Sequence, residues 1–173
     1  MAPTERSEII EILEKSREEF HAAASSIPEF LATIRPEAER WSVLECVEHV
    51  AMVEEVFLGR IATGASEVPP EDKIKEAALA ARVVDRSTRR EAPETIRPKG
   101  RFTTLAQGME RFHGARARSV QFAQDNAANL YALTAAHPVF GQLNGVEALI
   151  IIAAHARRHA EQIREVRAAL EKA

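Results

Sequence analysis

Two histidines, His155 and His159, stand four residues apart in a stretch patterned as a helix. At that spacing both side chains lie on one face, one turn apart, with Cβ atoms about 5–6 Å from each other. Two imidazoles so placed can share one metal ion. Both fall in line with Ala148, Ile152, Ile163, Val166 and Leu170, away from the charged face of Arg157, Arg158, Glu161 and Arg164. A buried imidazole needs a partner for each ring nitrogen, and a metal supplies one strongly. The pair alone is weak evidence, because most such pairs are ordinary core or surface histidines. His49 adds to it. It sits mid-helix beside Cys46, Val50 and Val53, and a third inward histidine on another long helix can meet the pair inside a bundle. Three imidazoles leave a coordination position for water or substrate, as in a catalytic rather than a structural zinc site. Periodicity alone does not choose between that set and a satisfied core histidine.

Other candidates weigh less. Cys46, one turn before His49, could be a ligand or nucleophile, but its pattern favours a small buried hydrophobe. Glu48 and Glu45 are close to His49 in sequence, with Glu45 expected to serve a helix cap. Gln162, three residues past His159, could touch the site or orient a ligand. His113 is placed either toward the core or toward solvent, and His21 and His137 read as structural or exposed. Arg89, Arg90, Arg97, Lys99 and Arg101 could hold an anionic cosubstrate, although a solvated loop is the simpler reading. No Gly-rich phosphate loop, Cys-x-x-Cys pair or serine-nucleophile motif is present.

Four long helices must position these residues. The first is predicted from about Thr4 to Ser25, with Ile9, Ile12, Leu13, Ser16, Phe20 and Ala24 forming one stripe and Pro28 marking the exit. The second opens on Ser42-Val43-Leu44-Glu45, a capping box, with Trp41 placed to staple onto Cys46. It runs to about Ile61, before Thr63-Gly64, on a face of Val47, Val50, Val53, Phe57 and Ile61 with Cys46, His49 and Val56 alongside. The next opens at Thr104, with Gln107 as a second capping-box match, along Leu105, Met109, Phe112, Val120, Ala123, Ala127 and Leu130. The last begins at Asn144, with Glu147 in the box position, and reaches about Glu171. His137-Pro138-Val139-Phe140-Gly141 reads as the turn before it. No stretch reads convincingly as a strand.

The 41 residues from Ala62 to Phe102 are too many for a structureless loop and should contain a short helix over Glu71–Val84. The part from Arg82 to Arg101 is the most basic in the chain, with seven basic and three acidic residues. So long a crossover also allows the helices on either side to run parallel.

Composition bounds the function classes. With 173 residues, 46% hydrophobic, one domain spanning 1–173 can bury a core without disulfides. A net charge of −3 argues against nucleic-acid binding. One cysteine cannot form an internal disulfide, so a cytoplasmic setting is expected. Met1 to Ile10 carries Glu5, Arg6 and Glu8 and lacks a signal-peptide apolar stretch. The longest apolar run, ending at Ala154, has seven residues against about 20 for a spanning helix, so no membrane partner is expected. Scarce aromatics, 5%, favour helices over a β-sandwich.

Trp41-Ser42-Val43-Leu44-Glu45-Cys46-Val47-Glu48-His49 and His155-Ala156-Arg157-Arg158-His159-Ala160-Glu161-Gln162-Ile163 carry a resemblance. So do the proline-bearing stretch Ala92–Gly100 and the turn His137–Gly141. In this order the four segments resemble the DinB/YfiT-like superfamily of metal-binding four-helix bundles, over nearly the whole chain. The resemblance implies an all-α four-helix bundle with a crossover between the second and third long helices. It implies that His49, His155 and His159 hold one divalent metal. Zn or Ni is expected first and Fe or Mn next; imidazole ligands suit Zn, Ni, Fe and Cu. Relatives include thiol-dependent transferases and isomerases that use bacillithiol, mycothiol or glutathione, and others described as metal-dependent hydrolases. The expected function is therefore a metal-dependent transferase that joins a low-molecular-weight thiol to a small electrophilic substrate. The thiol would bind the metal as thiolate. The alternatives are a hydrolase, with water activated at the same position, and a non-catalytic metal- or ligand-binding bundle. A homodimer is implied by resemblance alone.

Overall fold

Side-chain caps set the starts of most helices in the computed structural model, which describes residues 3–63, 68–69, 71–88, 91–126 and 129–172. The helices are α1 (Pro3–Ser25), α2 (Val43–Thr63), α3 (Lys73–Val84), α4 (Leu105–Asp125) and α5 (Gly145–Leu170). At α2 the Glu45 amide donates to Ser42 Oγ at 3.2 Å and the Ser42 amide donates to Glu45 Oε2 at 2.8 Å. Asn144 and Glu147 form the same reciprocal pair at α5, and Asp72 caps α3. At α4 only half of the expected box forms. Thr104 Oγ1 accepts from the Gln107 amide, but the Gln107 carboxamide turns to Thr103, which offers both an amide and a hydroxyl.

The four long helices form the bundle. α5 packs against α1 and α2, and α4 packs against the same two. This sets α1 and α2 on one diagonal and α4 and α5 on the other. The short helix α3 lies on the outside of α5. The expected four-helix bundle with a helix-bearing crossover is thus observed.

The expectation of no strand is corrected. β1 (Thr134–His137) and β2 (Gly141–Asn144) pair antiparallel, with Thr134 opposite Asn144 and His137 opposite Gly141. Gly141 adopts φ +71°, which a three-residue hairpin loop needs next to its turn. The pattern was hidden because Ala135, Ala136 and Gln142 have little strand propensity. Burial of Ala135 and Leu143 in the core drives the pairing instead. Within the helices, Ile12 and Val56 point outward, 40% and 43% exposed, and Val53 is half-buried. Ile12 sits roughly 65° off the mean direction of Ile9, Leu13 and Ser16, on the flank of the stripe. On α2 the inward position is taken by Glu54. Leu130 is buried in a single 3-10 turn beyond α4; Ala127, Gly64, Arg89 and Arg90 lie outside the described residues.

The core is divided. One apolar cluster gathers Leu13, Phe57, Val120 and α5 residues up to Ala154, and the other gathers Phe20, Val47, Phe112 and α5 residues from Ala156 onward. Between them lies a polar layer. Arg116 of α4, fully buried, donates from Nε and Nη2 to the Glu54 carboxylate at 2.6 and 3.0 Å and from Nη1 to Ser16 Oγ and the Leu13 carbonyl. Ser119 Oγ donates to Glu54 Oε1 at 2.8 Å. On α5 the change of cluster falls at His155. Among the described residues no helix is long and apolar enough to cross a membrane.

Candidate metal centre

His49 lies within the second turn of α2, so the Ser42–Glu45 cap that starts the helix also sets its height in the bundle. The Asn144–Glu147 cap does the same for His155 and His159 on α5. Packing of α2 against α5 brings the three rings together. His155 Nε2 is 3.2 Å from His49 Nε2 and 3.2 Å from His159 Nε2. The three ligand atoms all lie within 4.8 Å of one another. His49 and His159 are buried, and His155 is half-buried.

The donor set suits a single ion. Two nitrogens each about 2.0–2.1 Å from one tetrahedral centre are separated by about 3.3 Å. His49 Nδ1 sits 2.7 Å from the Ile96 carbonyl oxygen. A carbonyl only accepts, so Nδ1 carries the proton and Nε2 of the neutral ring presents a lone pair to its neighbours. A lone ring proton on His155 Nε2 could serve its neighbours only in part, whereas a cation satisfies all three nitrogens at once.

Electrostatics keep the rings neutral. Burial pushes His49 down to about 4, against the pull of the Ile96 carbonyl. Burial holds His155 and His159 well below the usual imidazole range, and their imidazole neighbours push the same way. Neutral imidazole is the form that binds metals.

Trp41, at the entry to α2, packs on two of these rings. Its ring centre is 4.8 Å from that of His49 and 6.2 Å from that of His159, nearly parallel to the latter. The Nδ1 of His159 is buried without a hydrogen-bond partner among the described residues, so ring packing rather than a hydrogen bond orients this side chain.

The remaining candidates fall elsewhere. Cys46 is fully buried among Val43, Val47 and Val50, and burial pushes its thiol well up, as suits a small hydrophobe. His113 meets His21 across α1 and α4, with Nε2 and Nδ1 3.0 Å apart. His137 Nδ1 accepts from the amides of Val139 and Phe140 and so shapes the hairpin turn. Gln162 accepts from Arg86 at 3.5 Å, and Arg86 forms a two-pronged pair with Glu165. Arg97 bonds within its own segment, to Ala92, Glu91 and Glu94.

Three features escaped the sequence reading. The Ile96 carbonyl carries no residue-type signal, because any residue has one. Glu48 spends its carboxylate on the amides of Lys99, Gly100 and Arg101. Arg158, assigned to the charged face, reaches the carbonyls of Val83, Asp85 and Thr88 at the end of α3. The Pro98–Gly100 pattern was the available hint of a shaped segment, without saying what it faced.

A helix bundle with three converging histidines defines a class, and the chain belongs to the DinB superfamily, whose family model matches residues 12–163. It is 24% identical over 139 residues to the uncharacterised protein YuaE of Bacillus subtilis (strain 168), across 80% of this chain and 85% of the relative. Its fold is similar to that of Bacillus subtilis YfiT, with TM-score 0.65 and 13% identity over 99% of this chain and 90% of the other. YfiT is described as a probable metal-dependent hydrolase with an unusual four-helix bundle topology. A second similar structure is TT2238, a four-helix bundle protein, with TM-score 0.54 and 18% identity over 92% of this chain and 98% of that one.

Proposed function

We propose that this chain is a metal-dependent enzyme in which His49, His155 and His159 hold one divalent ion and a small-molecule thiol is joined to an electrophilic substrate. The observation that carries the reading is the approach of three neutral imidazoles, with His155 Nε2 3.2 Å from both His49 Nε2 and His159 Nε2, all ligand atoms within 4.8 Å and the His49 tautomer set by Ile96. Such an ion supplies Lewis acidity, favouring the deprotonated form of a thiol or water at a fourth position. The chain's own part is to hold three lone pairs in register and keep the rings unprotonated.

The nearby carboxylates support a thiol over water. Glu48 is committed to backbone amides, Glu45 to Ser42 and Arg35, Glu165 to Arg86 and Glu54 to Arg116. A thiol that ionises on the ion needs no separate carboxylate base, whereas water attack is commonly assisted by one. A hydrolase is the second reading, supported by the description of YfiT.

Elemental analysis of tag-free protein comes first, followed by turnover of model electrophiles with several thiols, with and without chelator. Stoichiometric metal and chelator-sensitive, thiol-dependent turnover are expected. Turnover of esters or amides with no thiol requirement would replace the transferase reading with the hydrolase one. Protein without metal, unchanged by His155→Ala, would remove both.

A further inference from the structure

Glu48 precedes His49 in α2, and its side chain is 1% exposed. A carboxylate so placed must find donors, and it finds three in a row. The Lys99 amide donates to Oε1 at 2.7 Å, and the amides of Gly100 and Arg101 donate to Oε2 at 3.0 and 3.1 Å. Successive amides converge on one anion only where the chain turns back on itself, and Gly100 supplies that turn with φ +72°. The clasped residues follow the 3-10 turn Glu94–Ile96, whose Ile96 carbonyl accepts from His49 Nδ1. Pro98 lies between and stiffens the link. Two adjacent side chains of α2 therefore grip the same crossover segment, one by its amides and one by a carbonyl.

We propose that Glu48 is a positioning residue for the metal centre: by clasping residues 99–101 it holds the Ile96 carbonyl on His49 and so fixes that ring's tautomer and orientation. The inference rests on the metal reading above for its consequence, though not for its geometry. The partner of a ligand's second nitrogen typically contributes 10–100-fold to metal affinity. Loosening the clasp should therefore weaken binding at a distance, with every ligand intact.

The test compares Glu48→Gln and Gly100→Ala with the parent chain. Gln keeps one acceptor oxygen but turns an NH2 group toward at least one amide that now donates. At Gly100 a Cβ would meet nothing within 4 Å, so that variant perturbs only the left-handed backbone. Zn2+ affinity is measured by competition with a chromophoric chelator. Alongside it, 15N shifts of the His49 ring are recorded in metal-free protein. The expected result is a dissociation constant raised about 10–100-fold in Glu48→Gln, a smaller rise in Gly100→Ala, and a His49 ring no longer held purely as the Nδ1–H form. A dissociation constant within twofold of the parent in both variants, with unchanged ring shifts, overturns the inference. Failure of the parent itself to take up Zn2+ overturns the metal reading instead. The ring shifts then decide the clasp: unchanged shifts in both variants sink it, and a mixed tautomer sustains it.

Discussion

Ser42 and Glu45 show how much one turn of helix decides. Their reciprocal bonds start α2 and, within two turns, set the height of His49. Ser42→Ala should cost about 1 kcal/mol of stability, read from denaturant unfolding. Burial works to raise the Glu45 carboxyl, but hydrogen bonds from Arg35 and Ser42 outweigh it and hold the group below its ordinary 4.5. A lowered folded value means that the contribution is complete above 4.5 and disappears as pH falls through the folded value. The stability gap between parent and Glu45→Gln should thus narrow below that pH, and a gap constant down to pH 3 would contradict this account. Trp41 offers a direct probe of the centre, since it is the only tryptophan and packs on His49 and His159. Co2+ or Ni2+ should quench its fluorescence at one equivalent. His159→Ala should shift that titration by more than the 10–100-fold expected for losing an outer partner.

At the scale of elements, the polar layer between the two apolar clusters dictates how α1, α2 and α4 align. Arg116 and Glu54 are both buried, so truncating either leaves an uncompensated charge in the core. Arg116→Met or Glu54→Leu alone should destabilise by about 3–5 kcal/mol, while the double replacement should recover most of that loss. A double-mutant cycle by urea unfolding measures it, and additive losses would show that the pair is not coupled. The helices themselves were legible in the sequence, because their apolar spacing and caps are local. Glu54 and Arg116 were not, because a charged residue on an inward position is indistinguishable by type from one on a solvated face. The hairpin was missed for a related reason: its pairing is driven by burial of Ala135 and Leu143 rather than by strand-forming residues.

For the whole molecule, an ion held as proposed by the three helix-borne histidines would tie α2 to α5 and should stabilise the native state. At a free concentration 100 times the dissociation constant, the gain is about 2.7 kcal/mol. For a chain of this size that corresponds to a midpoint shift of roughly 5–10 °C. Chelation should remove the shift in the parent and leave a His49→Ala variant unmoved, as followed by thermal unfolding. Of the candidate site, all three histidines were legible from spacing together with family resemblance, since a ligand must be a particular residue type on a particular face. Their mutual distance was not legible, because it depends on how α2 packs on α5. Nor was the crossover's role, because it acts on His49 through a main-chain carbonyl that every residue possesses. Periodicity and capping in the sequence determined the helices and most of the apolar side chains that face inward. Tertiary packing decided which inward groups meet, because contacts between distant segments depend on the backbone path and on burial rather than on local residue type.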